Sequence, residues 1–194
     1  MKNMKLEIIN IIYKYFPQNV VWGCNEYFNS QEFINYLNTV KLKKDSGFNN
    51  ILLNELKIRL KHNSIKDWSN FELYNDIELK ILLNQDIEYM DDDIELLKAV
   101  HNNKNEIIIY VSLISNFYYI LYLNTTIKNG DYYFNTKEQN SFIENIIEKL
   151  FIKYNYKKLD KHIAQIIVPN IETELKPVGE VTVFDCLFND VTTL

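Results

Sequence analysis

Glycine, cysteine and positive charge are all scarce in this 194-residue chain. Phosphate-cradling loops of the G-x-G-x-x-G or G-x-x-x-x-G-K type need closely spaced glycines. The four glycines here are scattered, so nucleotide binding by those routes is excluded. Cys24 and Cys186 lie far apart and outside any C-x-x-C pattern, which argues against a disulfide framework or a thiolate zinc site and fits a reducing cytoplasm. His62, His101 and His162 have no second ligand at the i+3 or i+4 spacing that puts two imidazoles on one helical face, so neither metal nor cofactor is expected. No G-x-S-x-G elbow presents a nucleophilic serine. The net charge of −5 and a pI near 5.3 are opposite in sign to the basic footprint of a nucleic-acid binder.

Long apolar runs are missing as well. The most apolar stretch, Ile107 to Leu123, is interrupted by Ser112, Ser115 and Asn116 and falls short of a membrane span of about 20 residues. The start, Met1-Lys2-Asn3-Met4-Lys5, has the basic character of a signal peptide, but Glu7, Asn10 and Lys14 break the adjoining apolar run and no small-residue cleavage site appears. A cytoplasmic protein without membrane attachment is expected.

The composition itself is that of an ordinary globular protein, 47% hydrophobic and 24% charged. A chain of this length buries roughly 70% of its unfolded surface and needs no staple to build a core. We read residues 1–194 as one domain, without repeats or linkers. Asparagine and isoleucine number about 26 each, the bias of AT-rich coding DNA and no guide to activity.

Leu6, Ile9, Ile12, Tyr13 and Phe16 recur at helical spacing up to Pro17. Ser30 stands where it can cap a helix carrying Phe33, Ile34, Leu37 and Leu42, and Ile51, Leu52, Leu56 and Leu60 suggest a third helix. From Phe71 to Leu83 apolar residues alternate, which predicts a strand. Three aspartates ahead of Ile94, Leu97 and Val100 predict a helix over about 91–102. Two alternating runs within 107–123, joined near Ser115-Asn116, predict a central hairpin. Thr136 and Gln139 form a capping box before a helix that carries Phe142, Ile143, Ile146, Ile147, Leu150 and Phe151. Ile163 to Val168 and Val181 to Phe188 predict at least one further strand. The sum is an α+β fold: helices first, a mostly antiparallel central sheet, then one long helix and further strand near the carboxy terminus.

No catalytic constellation emerges. Cys186 with Asp185 beside it reads as a buried thiol, because neighbours on a strand point to opposite faces. Asp91, Asp92, Asp93 and Glu95 lack the alternate ligand spacing and the glycine of a calcium loop and fit a helix start better. Glu172 and Glu174 share a face of an extended chain, as a carboxylate acid–base pair requires, but no third group accompanies them.

Charge layout is the less ordinary feature. Residues 41–66 hold seven basic and two acidic residues, whereas 67–95 hold ten acidic residues and only Lys80. Residues 160–194 add six acidic and two basic ones. Such segregation is either a set of solvated faces that partly neutralise one another, or an acidic surface that steers a basic protein partner. The partner-binding candidates are Asp86, Glu88, Asp91, Asp92, Asp93, Glu95, Glu172 and Glu174.

The closing stretch, Val168-Pro169-Asn170-Ile171-Glu172-Thr173-Glu174-Leu175 and then Gly179-Glu180-Val181-Thr182-Val183-Phe184-Asp185-Cys186-Leu187-Phe188, resembles the carboxy-terminal pattern of immunity proteins from bacterial polymorphic or contact-dependent toxin systems. The turn Ser115-Asn116-Phe117-Tyr118-Tyr119 adds to the likeness. The resemblance implies tight binding of a cognate toxin, for instance a basic nuclease, and carries over no catalytic residue. Three kinds of protein fit these observations: a cytoplasmic binding protein of that kind, an enzyme of unfamiliar type working through carboxylates, or a self-associating structural or mobile-element protein that uses an exposed strand edge or aromatic patch.

Overall fold

The computed structural model describes residues 2–128, 131–136, 142–192 and 194. Four helices come first: α1 (Lys2–Ile12), α2 (Asn25–Phe28), α3 (Gln31–Asp45) and α4 (Phe48–Arg59). Next come β1 (Ile65–Asp67), β2 (Asp76–Leu82), α5 (Asp93–Ala99), β3 (Asn103–Ser112), β4 (Phe117–Lys128) and β5 (Asp131–Thr136). The chain closes with α6 (Phe142–Lys153), β6 (Lys157–Lys158), α7 (Lys161–Ala164) and α8 (Val183–Leu187).

The strands β1 to β5 form an antiparallel meander in chain order, and β6 pairs in parallel with the start of β4. Leu79 lies opposite Ile109, and Ile109 opposite Ile120, so β-branched and aliphatic side chains stack across the three central strands. The expected hairpin is present as β3 and β4, turning through Leu113 to Asn116.

Alternation along the strands makes two buried faces. Ile77, Leu79 and Ile81 with Ile107, Ile109 and Val111 pack against Leu52 and Leu56 of α4 and against Ile147, Leu150 and Phe151 of α6. Ile108, Tyr110 and Tyr119 point the other way and pack against α1, α7 and α8. With helices on both faces, β3 is buried along nearly its whole length, which explains a continuous apolar run without a membrane. No helix among the described residues is long and apolar enough to cross one.

Several expectations change in the fold. Ser30 does cap α3, its Oγ accepting from the Phe33 N–H at 3.1 Å. Ile34, Leu37 and Leu42 nevertheless face outward, because α3 lies at the rim and engages the core only through residues such as Tyr36 and Val40. Phe71 and Leu73 sit in a turn before β2, where Ser69 Oγ accepts from the Glu78 N–H, so the strand starts at Asp76. Thr136 ends β5, and Gln139 of the expected capping box lies outside the described residues.

The carboxy-terminal runs are not strands: Ile163 and Ala164 end α7, Val183 to Leu187 form α8, and among the described residues the two runs meet in an isolated bridge between Ile167 and Thr182. A capping box decides α8, with Thr182 Oγ1 accepting from the Asp185 N–H and the Asp185 carboxylate accepting from the Thr182 N–H. The two-residue β6 supplies the further strand, at a different place. Asparagines meanwhile take positions that glycines commonly fill, since Asn19, Asn102, Asn155 and Asn170 all have positive φ.

Candidate functional site

Beyond Leu82 the chain leaves the sheet, crosses residues 83–92 and returns through α5 onto the start of β3. Leu96, Leu97 and Val100 pin this excursion by burying against Leu82. The Tyr89 N–H donates to Ser64 Oγ at 2.8 Å and the Asp86 N–H to the His62 carbonyl at 3.1 Å, tying the loop to the approach to β1. With its apolar side held down, the segment presents Asp86, Glu88, Asp91, Asp92, Asp93 and Glu95 to solvent, all six exposed.

The six carboxylates are not equivalent. Asp92 caps α5, accepting from the N–H groups of Ile94 at 2.8 Å and Glu95 at 3.0 Å. Asp91 pairs with Lys66, Asp93 lies 3.5 Å from Lys104 Nζ, and Asp86 lies 3.5 Å from His62 Nδ1. Glu88 and Glu95 form no ion pair among the described residues. The basic segment thus neutralises part of the acidic one after folding.

An aromatic feature that no sequence motif announced adjoins this surface. Trp68, 41% exposed, has Lys66 Nζ 4.7 Å and Lys80 Nζ 4.4 Å from its ring centroid, and its ring lies 6.3 Å from that of Tyr89. The Tyr89 hydroxyl donates to Glu106 at 2.7 Å, and Glu106 in turn pairs with Lys104 at 3.1 Å. Glu78, 3.2 Å from Lys80, has its carboxyl raised by burial against the opposing pull of that lysine. Lys57, Lys61 and Lys66 with Glu88 and Tyr89 border a cleft of about 340 Å³ on the same side. The available signal was a tryptophan amid lysines at 66 and 80, which only strand pairing brings together.

Glu172 and Glu174 belong elsewhere. Ile171 and Thr173 are buried, Glu174 is exposed and Glu172 is half-buried. Ile171 packs in the cluster of α1 and α8, and α8 is tied by Asn75 Nδ2 donating to the Cys186 carbonyl at 2.9 Å, at the Asp76 end of β2. The 86–95 surface lies past the Leu82 end, a β2 length of roughly 20 Å away at the usual strand rise. The two acidic groups therefore do not merge.

The remaining chemistry is structural in placement. Cys186 is fully buried, burial pushes its thiol well up, and it lies with Asp185 on the helix α8, not on a strand as expected. Asp185 is engaged by Lys176 Nζ at 2.8 Å as well as by the cap. Among the described residues no group of three or more His, Cys, Asp or Glu is placed to hold a metal ion. No known protein family, curated protein or solved structure matches the chain.

Proposed function

We propose that the chain is a non-enzymatic, cytoplasmic protein-binding module: an immunity protein that neutralises a cognate toxin by docking a basic surface of it onto residues 86–95. The observation that supports this reading is the exposure of Asp86, Glu88, Asp91, Asp92, Asp93 and Glu95 on one surface held by α5. Complementary charge accelerates encounter and disfavours wrong partners. Trp68 and Tyr89 beside that surface supply the aromatic anchors on which binding energy concentrates, while the carboxylates form the rim. A nuclease toxin, basic because it grips phosphate, has the matching charge.

The test begins with co-purification of the tagged protein from its host and expression of the captured partner alone. The proposal expects a basic partner that is toxic by itself and harmless when co-expressed. Glu88→Lys with Glu95→Lys is the informative charge reversal, because reversing Asp92 would also remove the α5 cap. Association with the double variant is expected to slow at least about tenfold at low salt and to lose most of its salt dependence. Trp68→Ala is expected to speed dissociation. A partner that remains toxic on co-expression, or association unaffected by both changes, overturns the proposal.

A further inference from the structure

The last strand of the meander, β5, is paired on one side only among the described residues. All six of its residues, Asp131-Tyr132-Tyr133-Phe134-Asn135-Thr136, are exposed, in contrast to the buried β3. Tyr132, Tyr133 and Phe134 are 46%, 47% and 64% exposed, and the Tyr132 and Phe134 rings stack at 6.5 Å on one face. Natural edge strands are blunted by lysine, proline, bulges or a covering element. Residues 131–136 carry neither lysine nor proline, and their register against β4 runs without a bulge.

The backbone of β4 fixes which groups face the free edge. The Ile127 N–H donates to the Asn102 carbonyl, on the β3 side, whereas the Tyr118 carbonyl accepts from the Leu159 N–H on the opposite side. Even-numbered residues of β4 therefore direct their peptide groups toward β5. Thr126 opposite Tyr133 is then a hydrogen-bonded pair, and Ile127 opposite Tyr132 is not. Tyr132, Phe134 and Thr136 accordingly point their N–H and C=O groups outward at the edge, unpaired among the described residues.

We propose that this edge pairs with the same edge of a second copy of the chain. A two-fold axis normal to the sheet through Phe134 sets Phe134 against Phe134 of the copy and Tyr132 against Thr136, an antiparallel register that satisfies every one of the outward peptide groups of those three residues. It keeps matching faces together, because residues opposite one another have the same parity. An aromatic side chain carries about 150–250 Å². With three of them roughly half exposed on each copy and only the sides of the rings that meet the copy covered, pairing buries at most on the order of 600 Å² of aromatic surface plus the strand backbone. That lies at the low end of specific interfaces, so the dimer is weak and concentration-dependent. This edge uses none of residues 86–95, and its test does not depend on the binding partner proposed above.

Sedimentation equilibrium of the full chain from about 1 µM to about 300 µM is the experiment. The average mass is expected to rise toward twice 23.2 kDa. Phe134→Lys and Phe134→Glu are each expected to stay monomeric, since like charges then oppose one another, while an equimolar mixture of the two regains the dimer. Unchanged circular dichroism establishes that these exposed substitutions leave the fold intact. A wild-type chain monomeric throughout, a dimer that survives Phe134→Lys, or a mixture that fails to reassociate overturns the proposal.

Discussion

Asp76 opens β2 with only 2% of its surface exposed, and one of its carboxylate oxygens has no hydrogen-bond partner among the described residues. Burial first, and then Glu78, push its carboxyl up to about 8, against the pull of a hydrogen bond from Asn189. The same group titrates near pH 4 in an unfolded chain. Between about pH 4 and pH 8 the folded protein holds a proton that the unfolded chain has released, so stability from this group is fully present below about pH 4 and is lost as pH rises to about 8. Asp76→Asn removes that slope. The melting temperature of the variant relative to wild type is expected to improve between about pH 4.5 and about pH 7.5; an identical difference at the two pH values would mean that Asp76 is ionised in the fold. Nothing in the sequence singled out this aspartate among the ten acidic residues of 67–95, because its burial depends on β2 meeting β3 and on Asn189, 113 positions along the chain.

At the scale of the element, local signals served well where they were complete. Ser30 caps the helix that the sequence assigned to it, and of the three aspartates expected at the next helix start the structure makes Asp92 the cap, because a cap needs only a side-chain oxygen two or three residues from the N–H it accepts. Asp92→Ala is expected to cost about 1 kcal/mol in chemical denaturation, with Asp92→Asn restoring most of it. The Thr182–Asp185 box was equally local, but an apolar run of 181–188 suits a strand as well as a short helix, and periodicity alone does not separate them. Periodicity also misses β5, although Asn129-Gly130, the dipeptide most typical of a tight hairpin, precedes three aromatics. Its residues show no alternation of burial, since neither face is covered. The Trp68 site was illegible for another reason: Lys66 and Lys80 meet that ring only because Lys66 pairs opposite Lys80 in the sheet.

For the whole molecule, the sheet between two helical layers decides which apolar residues matter. Leu79, fully buried between β3 and α4, and Leu37, 50% exposed on α3, are the same residue type at equally regular spacings. Leu79→Ala is expected to cost about 2–5 kcal/mol, whereas Leu37→Ala stays within about 0.5 kcal/mol, as urea midpoints of the two variants will show. Charge behaves in the same way. Of the acidic residues that make 67–95 so negative, Asp76 is buried, Asp91 is matched by Lys66 and Asp93 by Lys104, Asp92 is engaged by backbone N–H groups and Asp86 lies beside His62, whereas Glu88 and Glu95 have neither an ion pair nor a cap among the described residues. By itself the sequence determined the local features: the α+β class, the central hairpin, the cap of α3 and the presence of a helix behind the three aspartates. These depend on neighbours within a few residues or on composition. Tertiary structure decided which faces are covered and, among the described residues, which carboxylates have no ion pair and which strand has an open edge. Each of those depends on contacts between residues far apart in the chain, and periodicity records that a residue is apolar without recording what will cover it.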